Sequence, residues 1–254
     1  LSQKYIESTV KANELKIIPL GDIHYGDPCC NKKLLKGTLD YIKTSKNTLV
    51  IGMGDYLNCA TTNSVSDTYD SQTPQTEYEE VIELLTPIKH KMVGLLMGNH
   101  EQRIRKESGW NVVKTMSKEL GIPYLGWGVF WKISVGTNPN PRKNPNYVVY
   151  ATHGASGAST PEGKLRAVRK LSESFEADLY LQGHVHDVMA EPDQKFAVDK
   201  RKRCVKSVKS YYVITGHFLN YQDSYAEMKA MKPSKTGVPK IKLFGDRWDI
   251  HVSL

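Results

Sequence analysis

Five short segments put Asp, His and Asn directly behind apolar runs. They are Gly21-Asp22-Ile23-His24, Gly54-Asp55, Gly98-Asn99-His100-Glu101, His153-Gly154 and Gly183-His184-Val185-His186. The runs ahead of them are Lys16 to Leu20, Thr48 to Met53, Met92 to Met97, Tyr147 to Thr152 and Leu179 to Gln182. Apolar stretches of this length with a turn-forming Gly behind them predict buried strands. A chain with its polar ligands at strand ends must gather those ends on one sheet edge, where open α/β folds place their sites. Between the motifs, helical spacing recurs: Leu34, Leu35, Leu39 and Ile42 within 31–45, and Val81, Ile82, Leu84 and Leu85 within 75–88. Trp110 to Leu120, closed by Gly121, and Thr160-Pro161-Glu162 onward to about Phe175 predict two more helices. The expected class is α/β.

Asp22, His24, Asp55, Asn99, His153, His184 and His186 offer carboxylate and amide oxygens and imidazole nitrogens, with no thiolate. Such a set suits Mn, Fe or Zn. Seven ligands exceed what one catalytic ion with open positions takes, but they serve two ions if one carboxylate bridges. Two ions roughly 3.5–4 Å apart clamp the attacking and leaving oxygens in phosphoester hydrolysis. His100 shares a turn with Asn99 and can approach the reacting phosphate without being a ligand. There it would donate a proton to the leaving oxygen or stabilise the negative phosphate. Taken singly, Asp-x-His reads as a cap and Gly-Asp as a plain turn. Gly-His-x-His is stronger, because alternate residues project to one side. The five together, in this order, predict a metal site.

The ordered set Asp-x-His, Gly-Asp, Gly-Asn-His-Glu, His-Gly and Gly-His-x-His resembles the calcineurin-like metallophosphoesterase superfamily, from Asp22 to His186. The resemblance implies a two-sheet β-sandwich flanked by helices, with the metal site at the strand C-terminal ends. One ion would be held by Asp22, His24, Asp55 and His186, and the second by Asp55, Asn99, His153 and His184. Asp55 would be the bridge, a bridging hydroxide would attack phosphorus, and His100 would assist the leaving group. Two divalent ions are expected, manganese first, with iron, zinc or nickel as alternatives. Protein phosphatases of this superfamily continue the second motif as Gly-Asp-x-x-Asp-Arg-Gly and place Arg before the third. Here Asp55 is followed by Tyr56-Leu57-Asn58-Cys59-Ala60, and Met97 precedes Gly98. Both phosphate-gripping arginines are absent, and Asn58 stands where many members carry Asp.

The expected function is metal-dependent hydrolysis of phosphodiesters of nucleotides or nucleic acid, as in a nuclease or phosphodiesterase. The alternative is a phosphomonoesterase acting on a small metabolite or phosphoprotein. A scaffold that has lost catalysis is disfavoured, since no motif ligand is missing. The formal charge of +8 agrees with an anionic partner. Lys200-Arg201-Lys202-Arg203, with Lys206 and Lys209, forms a basic strip that reads by default as a solvated hairpin and alternatively as a nucleic-acid contact. Lys164, Arg166, Arg169 and Lys170 form a second basic group. Phosphate-backbone tracking requires both groups to face the metal edge.

Two further residues are expected to bind substrate. Arg103 lies one helical turn past Asn99, within bidentate reach of a phosphate or of Glu101 and Glu107. His217 ends another strand near Gly183 to His186. Tyr56, beside Asp55, orients substrate or packs. The segment 61–75, rich in Ser, Thr and Asp, reads as a loop over the site or as a surface loop. A chain of 254 residues, 39% hydrophobic, is expected to form a single domain over 1–254, with 187–254 completing the second sheet and carrying the basic strip. No apolar stretch reaches the ~20 residues of a membrane span, and 1–15 shows no signal-peptide core. Cys29, Cys30, Cys59 and Cys204 form no CxxC pair and are expected to be reduced in a cytoplasmic protein.

Overall fold

Neighbouring residues of the apolar runs pack into different layers. Ile17, Ile51, Leu96, Val149, Leu181 and Val213 belong to one buried cluster. Their neighbours Ile18, Val50 and Leu95 pack into a second cluster with Leu35, Leu39, Val81 and Met116. Tyr150, Tyr180, Tyr212 and Ile214 form a third with Val168. Successive strand side chains point to opposite faces, so runs that are apolar at every position need cover on both sides. That cover dictates a helix–sheet–sheet–helix stack, with the first cluster between the sheets.

The computed structural model describes residues 4–61, 64, 68–200 and 202–254. In chain order come β1 (Lys4–Val10), β2 (Glu14–Leu20), α1 (Lys32–Thr44), β3 (Thr48–Gly52), α2 (Pro74–Leu85) and β4 (Met92–Leu96). Next are α3 (Asn99–Ser108), α4 (Val112–Leu120), β5 (Tyr124–Gly126), β6 (Gly128–Val135) and β7 (Asn146–Thr152). The chain continues with α5 (Pro161–Arg169), β8 (Leu179–Gln182), β9 (Val188–Asp199) and β10 (Cys204–Thr215). It closes with α6 (Tyr225–Met228), β11 (Lys240–Phe244) and β12 (Ile250–Ser253). One sheet has the order β1-β6-β7-β8-β10-β9, the other β12-β11-β2-β3-β4-β5. Strands β2, β3 and β4 run parallel, as do β7 and β8. The α/β class expected from the motifs and the two-sheet sandwich implied by the resemblance are the architecture observed.

The helices begin and end where side-chain chemistry directs. Asn31, Thr73, Asn111 and Thr160 each accept a backbone N–H at a helix start. Gly109 and Gly121 close α3 and α4 in the left-handed conformation. No described helix is long and apolar enough to cross a membrane.

Two readings of the sequence need correction. The polar start hides β1, an edge strand paired with β6 whose side chains alternate between exposed and half-buried from Tyr5 to Val10. The tail does not complete a single sheet: β9 and β10 extend the sheet of β8, while β11 and β12 extend the sheet of β2. Strand pairing is chosen by distant partners, and local pattern does not report it. Of the loop expected over 61–75, residues 62, 63 and 65–67 lie outside the described residues, and α2 begins at Pro74.

Candidate metal centre

Five strands end at one edge, and the motif residues follow them. Those positions force the backbone into an uncommon shape. Asp22, His24, Asp55, His184 and His186 all have positive φ, between 46° and 71°. Non-glycine residues avoid this region, and such strain gathers at functional sites. The turns are locked to one another. Asp22 N–H donates to Gly54 O, His184 N–H donates to the Asp22 carboxylate, and His100 N–H donates to Asp55 Oδ1 at 2.9 Å. Gly98 is required here, since a Cβ on it would stand 2.1 Å from Asp55 Oδ1.

Three groups of ligand atoms converge within 4.8 Å: Asp22 with His24 and His186, His24 with Asp55 and His100, and Asp55 with His153 and His184. His24 Nε2 and His186 Nε2 are 2.9 Å apart, and His186 Nε2 lies 3.3 Å from Asp22 Oδ1. Asp55 Oδ2 lies 3.9 Å from His24 Nε2 and 3.3 Å from His153 Nε2, between the two outer groups. Asn99 Oδ1 meets His153 Nε2 at 2.8 Å and His184 Nδ1 at 2.7 Å. All seven expected ligands are therefore gathered in one place.

The ring of His153 tests whether a cation fits. Its Nδ1 donates to Met53 O at 2.8 Å, which leaves Nε2 facing two acceptors, Asn99 Oδ1 and Asp55 Oδ2. Only a positive centre at Nε2, a proton or a metal ion, satisfies that arrangement. Burial opposes a charge on His153, yet the Asp55 carboxylate beside it lifts the ring to about 10. Burial also opposes the Asp55 anion, which His153 and His100 nonetheless hold well below the carboxylate range. His24 goes the other way: burial, with His100 and His186 beside it, keeps the ring neutral. Neutral imidazoles, an anionic carboxylate and an amide oxygen suit borderline divalent ions.

His100 has its tautomer set by its neighbours. Nδ1 donates to the carbonyl oxygen of Asn58 at 2.7 Å, and Nε2 accepts from Arg103 Nη2 at 3.0 Å. A carbonyl only accepts and a guanidinium only donates, so the proton sits on Nδ1. Nε2 is 3.8 Å from Asp55 Oδ2. Arg103 thus meets His100 rather than Glu101, and its buried Nη1 has no partner among the described residues.

His217 lies just past the end of β10, beside the site. It is buried, stacks on His186 with ring centroids 5.2 Å apart, and has both nitrogens engaged, by Ser234 Oγ and by Leu219 N–H. A ring so enclosed backs His186. Tyr56 is fully buried and donates to Leu96 O, so it packs. The basic strip lies on the hairpin of β9 and β10. β9 starts two residues after His186 and runs antiparallel to β10, which is parallel to β8, so it leads away from the metal edge. An extended strand of its length spans up to roughly 36 Å at about 3.3 Å per residue. Within that strip Arg201 lies outside the described residues. Lys164 is paired with Asp187 at 3.1 Å, and Arg169 with Glu191.

Two carboxyl groups escaped the sequence reading. Glu101 takes the N–H groups of Gly98 and Asp55 on Oε2 and those of Tyr56 and Leu57 on Oε1. Burial, then the charge of Asp55, pushes it up to about 7 against those bonds. Its position at the third residue of α3 is the capping-box position and was a usable signal. Glu77 lies on the apolar face of α2, four residues before Val81, and accepts Cys59 N–H at 2.8 Å. A charged residue at core spacing was its signal.

The family model of the calcineurin-like phosphoesterases matches residues 15–188. No curated protein matches the chain. Solved structures similar to it include a predicted phosphoesterase from Streptococcus pneumoniae, at 11% identity and TM-score 0.37, covering 94% of this chain and 88% of that one. Vps29 from Entamoeba histolytica, complexed with zinc, is 13% identical with TM-score 0.42, covering 94% and 90%. A metallophosphoesterase from Sphaerobacter thermophilus is 12% identical with TM-score 0.41, covering 94% and 89%.

Proposed function

Since the chain belongs to the calcineurin-like phosphoesterase family and is a metal-dependent phosphoesterase, we propose that it hydrolyses phosphodiesters of nucleotides or nucleic acid. Asp22, His24, Asp55 and His186 would hold one ion, and Asp55, Asn99, His153 and His184 the other. The observation that supports two ions is the position of Asp55 Oδ2, 3.9 Å from His24 Nε2 and 3.3 Å from His153 Nε2, and the preference for diesters rests on Arg103. The mixed oxygen and nitrogen set accommodates manganese, the ion taken first, as well as iron, zinc or nickel. Bound there, the ions would activate water and neutralise phosphate charge.

The chain's own residues divide the remaining work. His100 Nε2, which carries the lone pair and lies 3.8 Å from Asp55 Oδ2, would first take a proton from water and then give that proton to the leaving oxygen, returning to the lone-pair form. Arg103, already on His100 and with Nη1 unpaired among the described residues, would bind a phosphate oxygen. His217 positions His186 from behind and does not touch substrate. One guanidinium suits the single negative charge of a diester better than the double charge of a monoester, and Lys164 is already paired. The remote basic turn would contact nucleic acid separately from the chemistry.

Hydrolysis of bis-p-nitrophenyl phosphate against p-nitrophenyl phosphate, with manganese and without, tests the reading. Faster, metal-dependent diester turnover is expected. Preference for the monoester would select the phosphomonoesterase alternative.

A further inference from the structure

The peptide between Asn58 and Cys59 is held from both ends. Its N–H, on Cys59, donates to Glu77 Oε2 at 2.8 Å, and its carbonyl oxygen, on Asn58, accepts from His100 Nδ1 at 2.7 Å. The peptide is also strained, because Cys59 has φ of 48°, a region that non-glycine residues avoid. Rotating the peptide plane by half a turn would return Cys59 to negative φ and turn the Asn58 carbonyl away from His100. Some contact must resist that rotation, and the Cys59 N–H has its acceptor on α2. Access for that acceptor is built in: a Cβ on Gly26, at φ 100°, would stand 2.2 Å from Glu77 Oε1. The Asn58 side chain donates from Nδ2 to Ser71 Oγ, and its backbone carbonyl meets His100.

We infer that Glu77 is a positioning residue for His100, pinning the Asn58–Cys59 peptide so that its carbonyl holds the His100 proton on Nδ1 and keeps Nε2, the nitrogen that Arg103 meets, on the side of the reacting phosphate. The inference rests on the role given to His100 above. Only the acceptor oxygen is needed, whether Glu77 is ionised or not. Burial pushes its carboxyl up to about 8, and Oε2 accepts in either state.

The test compares Glu77→Leu and Glu77→Gln in the manganese-loaded enzyme on two diesters, diphenyl phosphate and bis-p-nitrophenyl phosphate. Glu77→Leu is expected to lower kcat on diphenyl phosphate roughly tenfold or more, with KM little changed. On the nitrophenyl ester, whose leaving group needs no proton, the loss is smaller. Glu77→Gln keeps an acceptor and retains most of the activity. In a His100→Ala background, Glu77→Leu adds no further loss. Equal losses on both esters, or the same loss with and without His100, overturn the inference and leave the role of His100 standing. Wild-type turnover of diphenyl phosphate by His100→Ala overturns that role and the inference with it. If Glu77→Leu does not fold, nitrogen-15 spectra of the zinc-loaded wild type decide: a proton on Nδ1 of His100 is expected, and a ring protonated on Nε2 alone overturns the inference.

Discussion

Asp55 Oδ2 and His153 Nε2 lie 3.3 Å apart with both side chains buried, and the other nitrogen of that ring is bonded to Met53 O. The contact joins the turn after β3 in one sheet to the end of β7 in the other. It makes the centre a property of the sandwich and not of either sheet alone.

Glu101 anchors the Asp55 turn through four backbone N–H groups, so its charge matters more than its size. Glu101→Gln replaces one acceptor oxygen by a donor and leaves N–H groups facing it. Manganese affinity is expected to fall roughly 10–100-fold, as for other residues that orient ligands from behind. Calorimetric titration reads this, and wild-type affinity would show that the turn holds without the anion.

The five ligand turns were legible in the sequence because ligand type and apolar periodicity are local properties. The strand ends at Leu20, Gly52, Leu96, Thr152 and Gln182 fall within one residue of the apolar runs. Partner choice is not local, which is why β1 went unseen and the tail divided between two sheets. The basic strip falls at the β9–β10 hairpin, the default reading of its sequence, because a dense run of like charge is stable only in solvent. Glu77 and the Asn58 carbonyl act through one peptide plane, whose orientation no residue type announces.

Glu77 also gives the stability of the metal-free protein a pH dependence. Burial raises its carboxyl from 4.5 to about 8 in the fold. The folded state therefore binds more protons between these values, and the contribution present below pH 4.5 is lost as pH rises through 8. Its full size is a few kcal/mol. Glu77→Gln should remove this slope, gaining on the wild type from pH 5 to pH 8 in urea denaturation with a chelator present. Parallel curves would mean that Glu77 ionises normally in the fold.

The distance of the basic turn from the centre separates two activities. Replacing Lys200, Lys202 and Arg203 by Ser should leave turnover of bis-p-nitrophenyl phosphate within about twofold of wild type. Any nucleic-acid binding should weaken for all sequences alike and lose part of its salt dependence. A drop in small-diester turnover would place the turn closer to the centre than β9 allows.

The sharing of Asp55 is tested most directly by anomalous diffraction from manganese-loaded crystals, with Asp55→Asn alongside. The account predicts two peaks roughly 3.5–4 Å apart, both coordinated by Asp55, one also by Asp22, His24 and His186 and the other by Asn99, His153 and His184. In Asp55→Asn both peaks should weaken and turnover should fall at least about a hundredfold, beyond the usual effect of an orienting residue. A single peak in the wild type, or two peaks with Asp55 bound to only one, would contradict it.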